Sequence, residues 1–377
     1  MNTYFLTGGT GAVGSAIVPI LLAQPETRVI LLLRADSEAD LQRRLGELHE
    51  FWGWSAAPDM RARVKAYRGD AARARFGLTE AEYAELVVDC THILHCAGTV
   101  RMNLPLEDAR RSAVGSAQEI LGLARDLAAS GHLSKVEFVS TLGVAGKRPG
   151  VLPEDWLDEA PLFHNTYEQA KYEAEGLIRA AIGNEGLPIT VHRPSMVIGD
   201  ARDGRIIHFQ IFYFICEFLS GGRTLGLFPD FGDVRLDVIP VNWVAEAIAA
   251  SSTDGQTAGR IFHLCTGAQR SPRLEDLKDL VRKEFRTHGR SLPPGLSLPR
   301  SWFAGLARFA TRLAPERHRK ALATLPIYLD YLADQQGFGN PGYVAWLTSR
   351  GMSLPDPRDY LPRVLGYYLA GRGKRHS

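Results

Sequence analysis

Apolar and polar positions along the chain follow two periods that alternate. Residues 4–7 are a short apolar run, a glycine-rich turn follows, and residues 12–23 carry apolar side chains at helical spacing, which reads as strand, turn, helix. The unit recurs. Residues 29–33 form a fully apolar strand and 37–51 a charged amphipathic helix. The pairs 64–67 with 79–87 and 92–95 with a long helix over 106–129 repeat it, and 136–140 is a fifth strand. Strands this apolar have no face for water, so the pattern predicts an α/β fold: a doubly wound parallel sheet covered by helices on both sides.

Beyond residue 140 the pattern loosens. Pro149, Pro153 and Pro161 interrupt a loop. A helix over 167–182, a strand over 189–192, an aromatic helix over 206–220, a short strand over 236–239, a helix over 242–250 and a last strand over 261–264 follow. Residues 291–299 read as a linker rich in Pro, Ser and Gly, residues 302–331 as mostly helical, and the basic stretch 372–376 as frayed.

Composition narrows the class. Of 377 residues, 45% are apolar and 23% charged, which excludes disordered, collagen-like and coiled-coil chains. Forty-four basic against 42 acidic side chains leave a formal charge of +2, too balanced for a protein coated in nucleic acid. Cys90, Cys96, Cys216 and Cys265 have neither metal-ligand spacing nor the density of a secreted scaffold, so reduced thiols and a cytoplasmic location are expected. No signal-peptide pattern follows Met1, and apolar runs such as 211–216 fall far short of the ~20 residues of a membrane span.

The chemistry begins at TGGTGAVG, between the first strand and the first helix. Gly8, Gly11 and Gly14 let the backbone turn tightly and approach a pyrophosphate, and the helix N-terminus meets its charge; Thr7, Thr10, Ala12 and Val13 share the turn. The bland alternative is a tight strand-to-helix turn. Tyr167 and Lys171, in YEQAK, are four residues apart and so share a helix face. At the end of the second strand, where an acid would favour NAD, the chain has Arg34, with Arg43 and Arg44 further on. An Arg there takes a 2′-phosphate bidentately, or merely ends a strand in solvent.

The GxxGxxG spacing together with YEQAK resembles the extended short-chain dehydrogenase/reductase superfamily. That resemblance implies a Rossmann-type dinucleotide-binding domain over residues 1–200 and a smaller, mostly helical substrate-binding lobe over 201–377, with 237–265 returning to the first domain. It implies catalysis by Thr141, Tyr167 and Lys171. Successive strand residues face opposite ways, so only one of Thr141 and its neighbour Ser140 can face the cofactor, and the family's motif register implies Thr141. It also implies NADPH contacts from Thr7, Gly8, Thr10, Gly11, Ala12, Val13, Gly14, Arg34 and Arg44 at the first two turns. Asp70, Ala97, Gly98 and Thr99 follow the third and fourth strands. Arg193, Pro194, Ser195 and Val197 of RPSMVIGD complete the set, with Tyr167 and Lys171 themselves.

LLLRA, GDAARARFGLTEAEYAEL, ILHCAGTV, YEQAKYEAE with Glu175, and DVIPVNWVAEAI look like the thioester reductase branch, which includes fatty acyl-CoA reductases and terminal reductase domains of peptide synthetases. The implied reaction is NADPH-dependent reduction of an acyl thioester, on CoA or a carrier protein, to an aldehyde or onward to an alcohol. Two readings compete with it: a nucleotide-sugar epimerase or dehydratase, and a non-catalytic dinucleotide sensor. Three positions depart from the family pattern. Ala113 stands where a helix Asn is usual, Arg101 replaces the Asn of the turn after the fourth strand, and Asn242 replaces an Asp expected to affect only a helix cap.

Phe209, Phe212, Tyr213, Phe214 and Phe218 either line an acyl pocket or make a helix buried nearly all round. His92, His95 and His192 are expected to be packed rather than metal-bound. Arg308, Arg312, Arg317, Arg319 and Lys320 crowd a segment whose only acid is Glu316, and form either a docking patch for an anionic acyl donor or a solvated helix face.

Overall fold

The computed structural model describes residues 1–303, 305–306 and 336–373. Its strands are β1 Asn2–Thr7, β2 Thr27–Leu33, β3 Val64–Arg68, β4 His92–His95, β5 Lys135–Val139, β6 Gly150–Leu152, β7 Ile189–Pro194, β8 Met196–Ile198, β9 Leu227–Pro229, β10 Val238–Pro240, β11 Ile261–Leu264, β12 Leu296–Leu298 and β13 Gln336–Phe338. Seven of them form one parallel sheet in the order β11-β7-β5-β4-β1-β2-β3. The chain winds one way from β1 through β2 to β3 and the other way from β4 outward. The order therefore reverses between β1 and β4, and a crevice opens there at the carboxyl ends of the strands.

The alternation of side chains across the strands divides the core in two. Leu6, Leu31 and Leu33 point to the face covered by helices α1 (Ala12–Leu22) and α9 (Val241–Ser252). Phe5, Ile30, Ile93 and Phe138 point to the face covered by α6 (Ser116–Ala129) and α7 (Thr166–Glu185). Caps written into the sequence bound these helices: the Asn165 side chain accepts from Glu168 N at 3.0 Å to start α7, and Gly186, at φ +67°, ends it.

Several expectations change. The helix expected over 106–129 is broken at Arg111–Gly115 by a π-helical turn, which marks local strain or function. The helix expected from 206 starts only at Ile211 and runs to Ser220 as α8. Strand β10 pairs with β8 outside the main sheet, whereas β11 does join that sheet beside β7. The expected linker contains β12, which pairs with β9, because Arg282 gathers the backbone there, donating to Ser220 O at 2.7 Å and Pro293 O at 2.5 Å. Residues 301–303 and 305–306 are helical; the rest of the expected helical segment, its cluster from Arg308 to Lys320, and residues 374–376 lie outside the described residues.

A late segment returns to the crevice side of the molecule. Strand β13 pairs with β6, and Gln336 Nε2 donates to the carbonyls of Gly146 and Arg148, each at 2.6 Å. The partly buried Glu154 carboxylate accepts from His263 N at 2.9 Å and, at the start of helix Pro341–Ser349, from Gly342 N at 2.5 Å and Tyr343 N at 3.2 Å. The loop that follows β5 is thus stitched to residues nearly two hundred positions downstream.

Candidate active site

Strand β1 ends in Thr7, and the turn from Gly8 to Gly11 leads into α1 at the crevice. Gly8 has φ +79°, and a Cβ on it would sit 2.6 Å from Ala97 N in the turn after β4. Gly14, in the first turn of α1, meets the Gly8 carbonyl so closely that no Cβ fits. Helix α1 has no side-chain cap and no acid in its first turn, which leaves the amides of Ala12, Val13 and Gly14 open to an anion. The site therefore fits a dinucleotide pyrophosphate. Thr10 lies partly exposed on the turn. Thr7 does not face the crevice: it is fully buried, and its hydroxyl is bonded to His95 Nδ1 at 2.8 Å and accepts from Ala97 N at 3.3 Å, bracing the two turns against each other.

The three expected catalytic residues meet beside this crevice. Thr141 follows β5 and caps a short 3-10 turn, its hydroxyl accepting from Gly143 N at 3.1 Å. Tyr167 and Lys171 stand one turn apart on α7. Burial pushes the Tyr167 hydroxyl up to about 12, the hydrogen bond with Thr141 opposes that, and Glu168 adds to it. Lys171 Nζ donates to Val139 O at 3.1 Å, and a Cβ on Gly98 would lie 3.3 Å from it. Ser140, by contrast, is buried and its hydroxyl has no hydrogen-bond partner among the described residues.

The remaining expected contacts sort into three groups. Arg34 is exposed at the end of β2 and has no ion-pair partner among the described residues, so it is free to meet a phosphate. Arg44 is instead tied to Asp40 at 3.0 Å, and Arg43 to Asp40 at 2.5 Å and to Glu47. Asp70 caps its own turn, accepting from Ala72 N at 3.0 Å. Ala97, Gly98 and Thr99 line the crevice side of the β4 turn, and Thr99 N donates to Ser112 Oγ at 3.3 Å. Ser112 in the π-helical turn, not Ala113, therefore reaches that turn, while Ala113 packs in the core.

Arg193 is a correction. It is 2% exposed, and its guanidinium grips Glu175 through Nε to Oε1 at 3.0 Å and Nη2 to Oε2 at 2.6 Å, so its side chain is spent on the protein rather than held free for a phosphate. Pro194 and Val197 are buried beside it, and Ser195 is partly exposed. Asn242 caps nothing; its side chain accepts from Ala201 N at 2.9 Å and pins the loop after β8. Arg101 is exposed.

The aromatic helix α8 is of the buried kind. Phe212, Tyr213 and Phe218 are packed, Tyr213 OH accepts from Gly199 N at 3.0 Å, and Phe214 alone of its aromatic residues is exposed. The histidines have protein partners: His92 with Thr91 at 2.7 Å, His95 with Thr7, and His192 with Glu137 at 2.5 Å. All four cysteines are free thiols. Among the described residues no helix is long and apolar enough to cross a membrane.

A glycine turn at the switch point of a doubly wound sheet, with a buried tyrosine hydrogen-bonded to a threonine beside it, can bring a dinucleotide and a proton donor together. The class it defines is the NAD(P)H-dependent oxidoreductase of extended short-chain dehydrogenase/reductase type, in its thioester reductase branch. Residues 6–248 match the NAD-binding family described as male sterility protein, and the chain belongs to that family.

The chain is 32% identical over 283 residues to an isonitrile lipopeptide synthase of Streptomyces coeruleorubidus, a match covering 74% of this chain and 18% of the synthase. It is 26% identical over 344 residues to the large subunit of L-2-aminoadipate reductase of Penicillium chrysogenum, covering 86% of this chain and 23% of that subunit. The chain thus spans about a fifth of these curated relatives. Among solved structures, the terminal R domain of the myxalamid PKS-NRPS pathway superposes with a TM-score of 0.81 at 26% identity, over 99% of this chain and 91% of that one. A thiolation-reductase di-domain from an archaeal nonribosomal peptide synthetase shares the fold, with a TM-score of 0.76 at 17% identity, over 100% of this chain and 76% of that one.

Proposed function

We propose that the protein uses NADPH to reduce an acyl thioester, held on CoA or on a carrier protein, to an aldehyde that is released or reduced again to an alcohol. The observation that carries this reading is the meeting of Thr141, Tyr167 and Lys171 at the mouth of the dinucleotide crevice. Bound NADPH supplies the hydride. Thr141 donates to the carbonyl oxygen of the substrate and orients it. Tyr167 gives its proton to that oxygen as negative charge develops there, and the positive charge of Lys171 favours the phenolate left behind. The resulting tetrahedral carbon bears a hydroxyl and the thioester sulfur. Cleavage of its C–S bond, with the hydroxyl proton passing to sulfur, releases a thiol and an aldehyde.

NADPH is preferred over NADH in this reading because Arg34 stands exposed and without an ion-pair partner among the described residues, where a 2′-phosphate would lie. A carrier-bound donor is supported by the likeness to reductase domains of peptide and polyketide assembly lines. Four free thiols support a cytoplasmic location. The test is nicotinamide oxidation with acyl-CoA, acyl-carrier and nucleotide-sugar substrates, with the aldehyde trapped as a hydrazone. Oxidation with thioesters and a trapped aldehyde is expected; turnover confined to nucleotide sugars overturns the proposal.

A further inference from the structure

Lys171 is held in a place hostile to its charge. The residue is 5% exposed, its ammonium lies 5.5 Å from the Phe138 ring, and Val139 O is its hydrogen-bond acceptor. Burial pulls its pKa down to about 8, and Glu175, one helical turn along α7, is the first group to oppose that, ahead of Cys96. A carboxylate buried alone would give up its own charge. Glu175 does not stand alone, because both its oxygens are taken by Arg193 on β7. Arg193 is itself fixed: Nη1 donates to Asp155 O at 2.8 Å and lies 3.3 Å from His263 Nε2 on β11. His263 Nδ1 faces Gly339 O at 2.8 Å and must donate to it, which leaves Nε2 as the acceptor and the ring neutral. Burial and Arg193 together push that imidazole down to about 3, in keeping with a neutral ring.

We propose that Glu175, clamped by Arg193, is a positioning residue that keeps Lys171 in its charged form, a role that rests on the reductase reading above. The groups facing Lys171 come from three elements: Tyr167 and Glu175 from α7, His95 and Cys96 at the end of β4, and Arg193 from β7 through Glu175. Near neutrality Tyr167 and Cys96 keep their protons, since burial pushes each up to about 12, and His95 stays neutral, since burial pulls it down to about 3. Glu175 is left as the anion that acts on Lys171. Arg193 is required because it holds both carboxylate oxygens and so fixes where the anion stands relative to Lys171.

The experiment reads Lys171 directly, in cofactor-free protein carrying lysine labelled with 13C at Cε, by NMR titration; Lys171→Met assigns the signal. In Glu175→Gln the proton affinity of Lys171 should fall about tenfold or more, since an opposite charge is lost while Arg193 remains. In the double variant Glu175→Gln/Arg193→Gln the fall should be smaller, because anion and cation leave together. Removing one partner of a buried pair is costly to stability, so the double variant carries the test if the single one does not fold. In turnover, the loss caused by Glu175→Gln should recover as pH is lowered, which a packing defect would not do. A Lys171 titration identical in all folded variants overturns the proposal. A shifted titration in a protein whose unmodified form reduces no thioester overturns the reductase reading and leaves the control of Lys171 standing.

Discussion

Gly8 and Ala97, 89 residues apart in the chain, approach so closely that a methyl group on Gly8 would lie 2.6 Å from the Ala97 amide. The two turns that bound the crevice are therefore set by one missing side chain. Gly8→Ala should separate them. The positive φ alone costs ~1–3 kcal/mol for an alanine, before the clash is counted. We expect a lower melting temperature and at least ~10-fold weaker NADPH binding by fluorescence titration; unchanged binding would show that the turn yields without consequence.

Tyr167→Phe removes the proton donor and keeps the ring. Reductase turnover should fall ~100-fold or more while NADPH affinity stays within a few-fold, as judged by single-turnover kinetics and titration. Near-normal turnover would move the proton donor elsewhere.

Arg34→Ala and Arg44→Ala should differ. Arg44 is already engaged by Asp40, whereas Arg34 is not paired among the described residues, so only Arg34→Ala should erase most of the preference for NADPH over NADH. One charge-assisted bidentate contact is worth roughly tenfold or more in affinity. The ratio of the two dissociation constants, measured for both variants, decides it.

Lys171 predicts an alkaline limb. Below about 8 the ammonium keeps its proton, and above it the charge that favours phenolate at Tyr167 is lost, so kcat/KM for NADPH should decline as pH rises through that region. A flat profile well above that pH would mean that charge on Lys171 is not needed.

The sheet and the meeting of Thr141, Tyr167 and Lys171 were legible because each rests on local pattern. Strands 29–33 and 92–95 announce themselves by apolar runs, and Tyr167 and Lys171 by helical spacing. The pairing of Arg193 with Glu175 was not legible, because the two are 18 residues apart and lie opposite each other only once α7 packs on the sheet. Arg44 was expected to contact NADPH although Asp40, one turn earlier, was there to pair with it. Ser112 was passed over for Ala113 because a π-helical turn changes the register of the helix face, which a regular period cannot reveal. The short strands β9 and β12 escaped notice because they bind each other across almost seventy residues and owe their place to Arg282.

The pairing of β13 with β6 bears on the order of folding. Gln336 reaches back 190 residues to Gly146, and Glu154 is bonded to Tyr343 across 189. Closing so long a loop costs entropy that local contacts do not. The sheet and the glycine turn can assemble from neighbouring segments, whereas the loop after Thr141 waits for the downstream strand to arrive. Nucleotide binding should thus appear early in refolding, and thioester turnover only with the slowest phase. A ribosome still short of residue 343 would be holding a chain able to grip its nucleotide before it can use it.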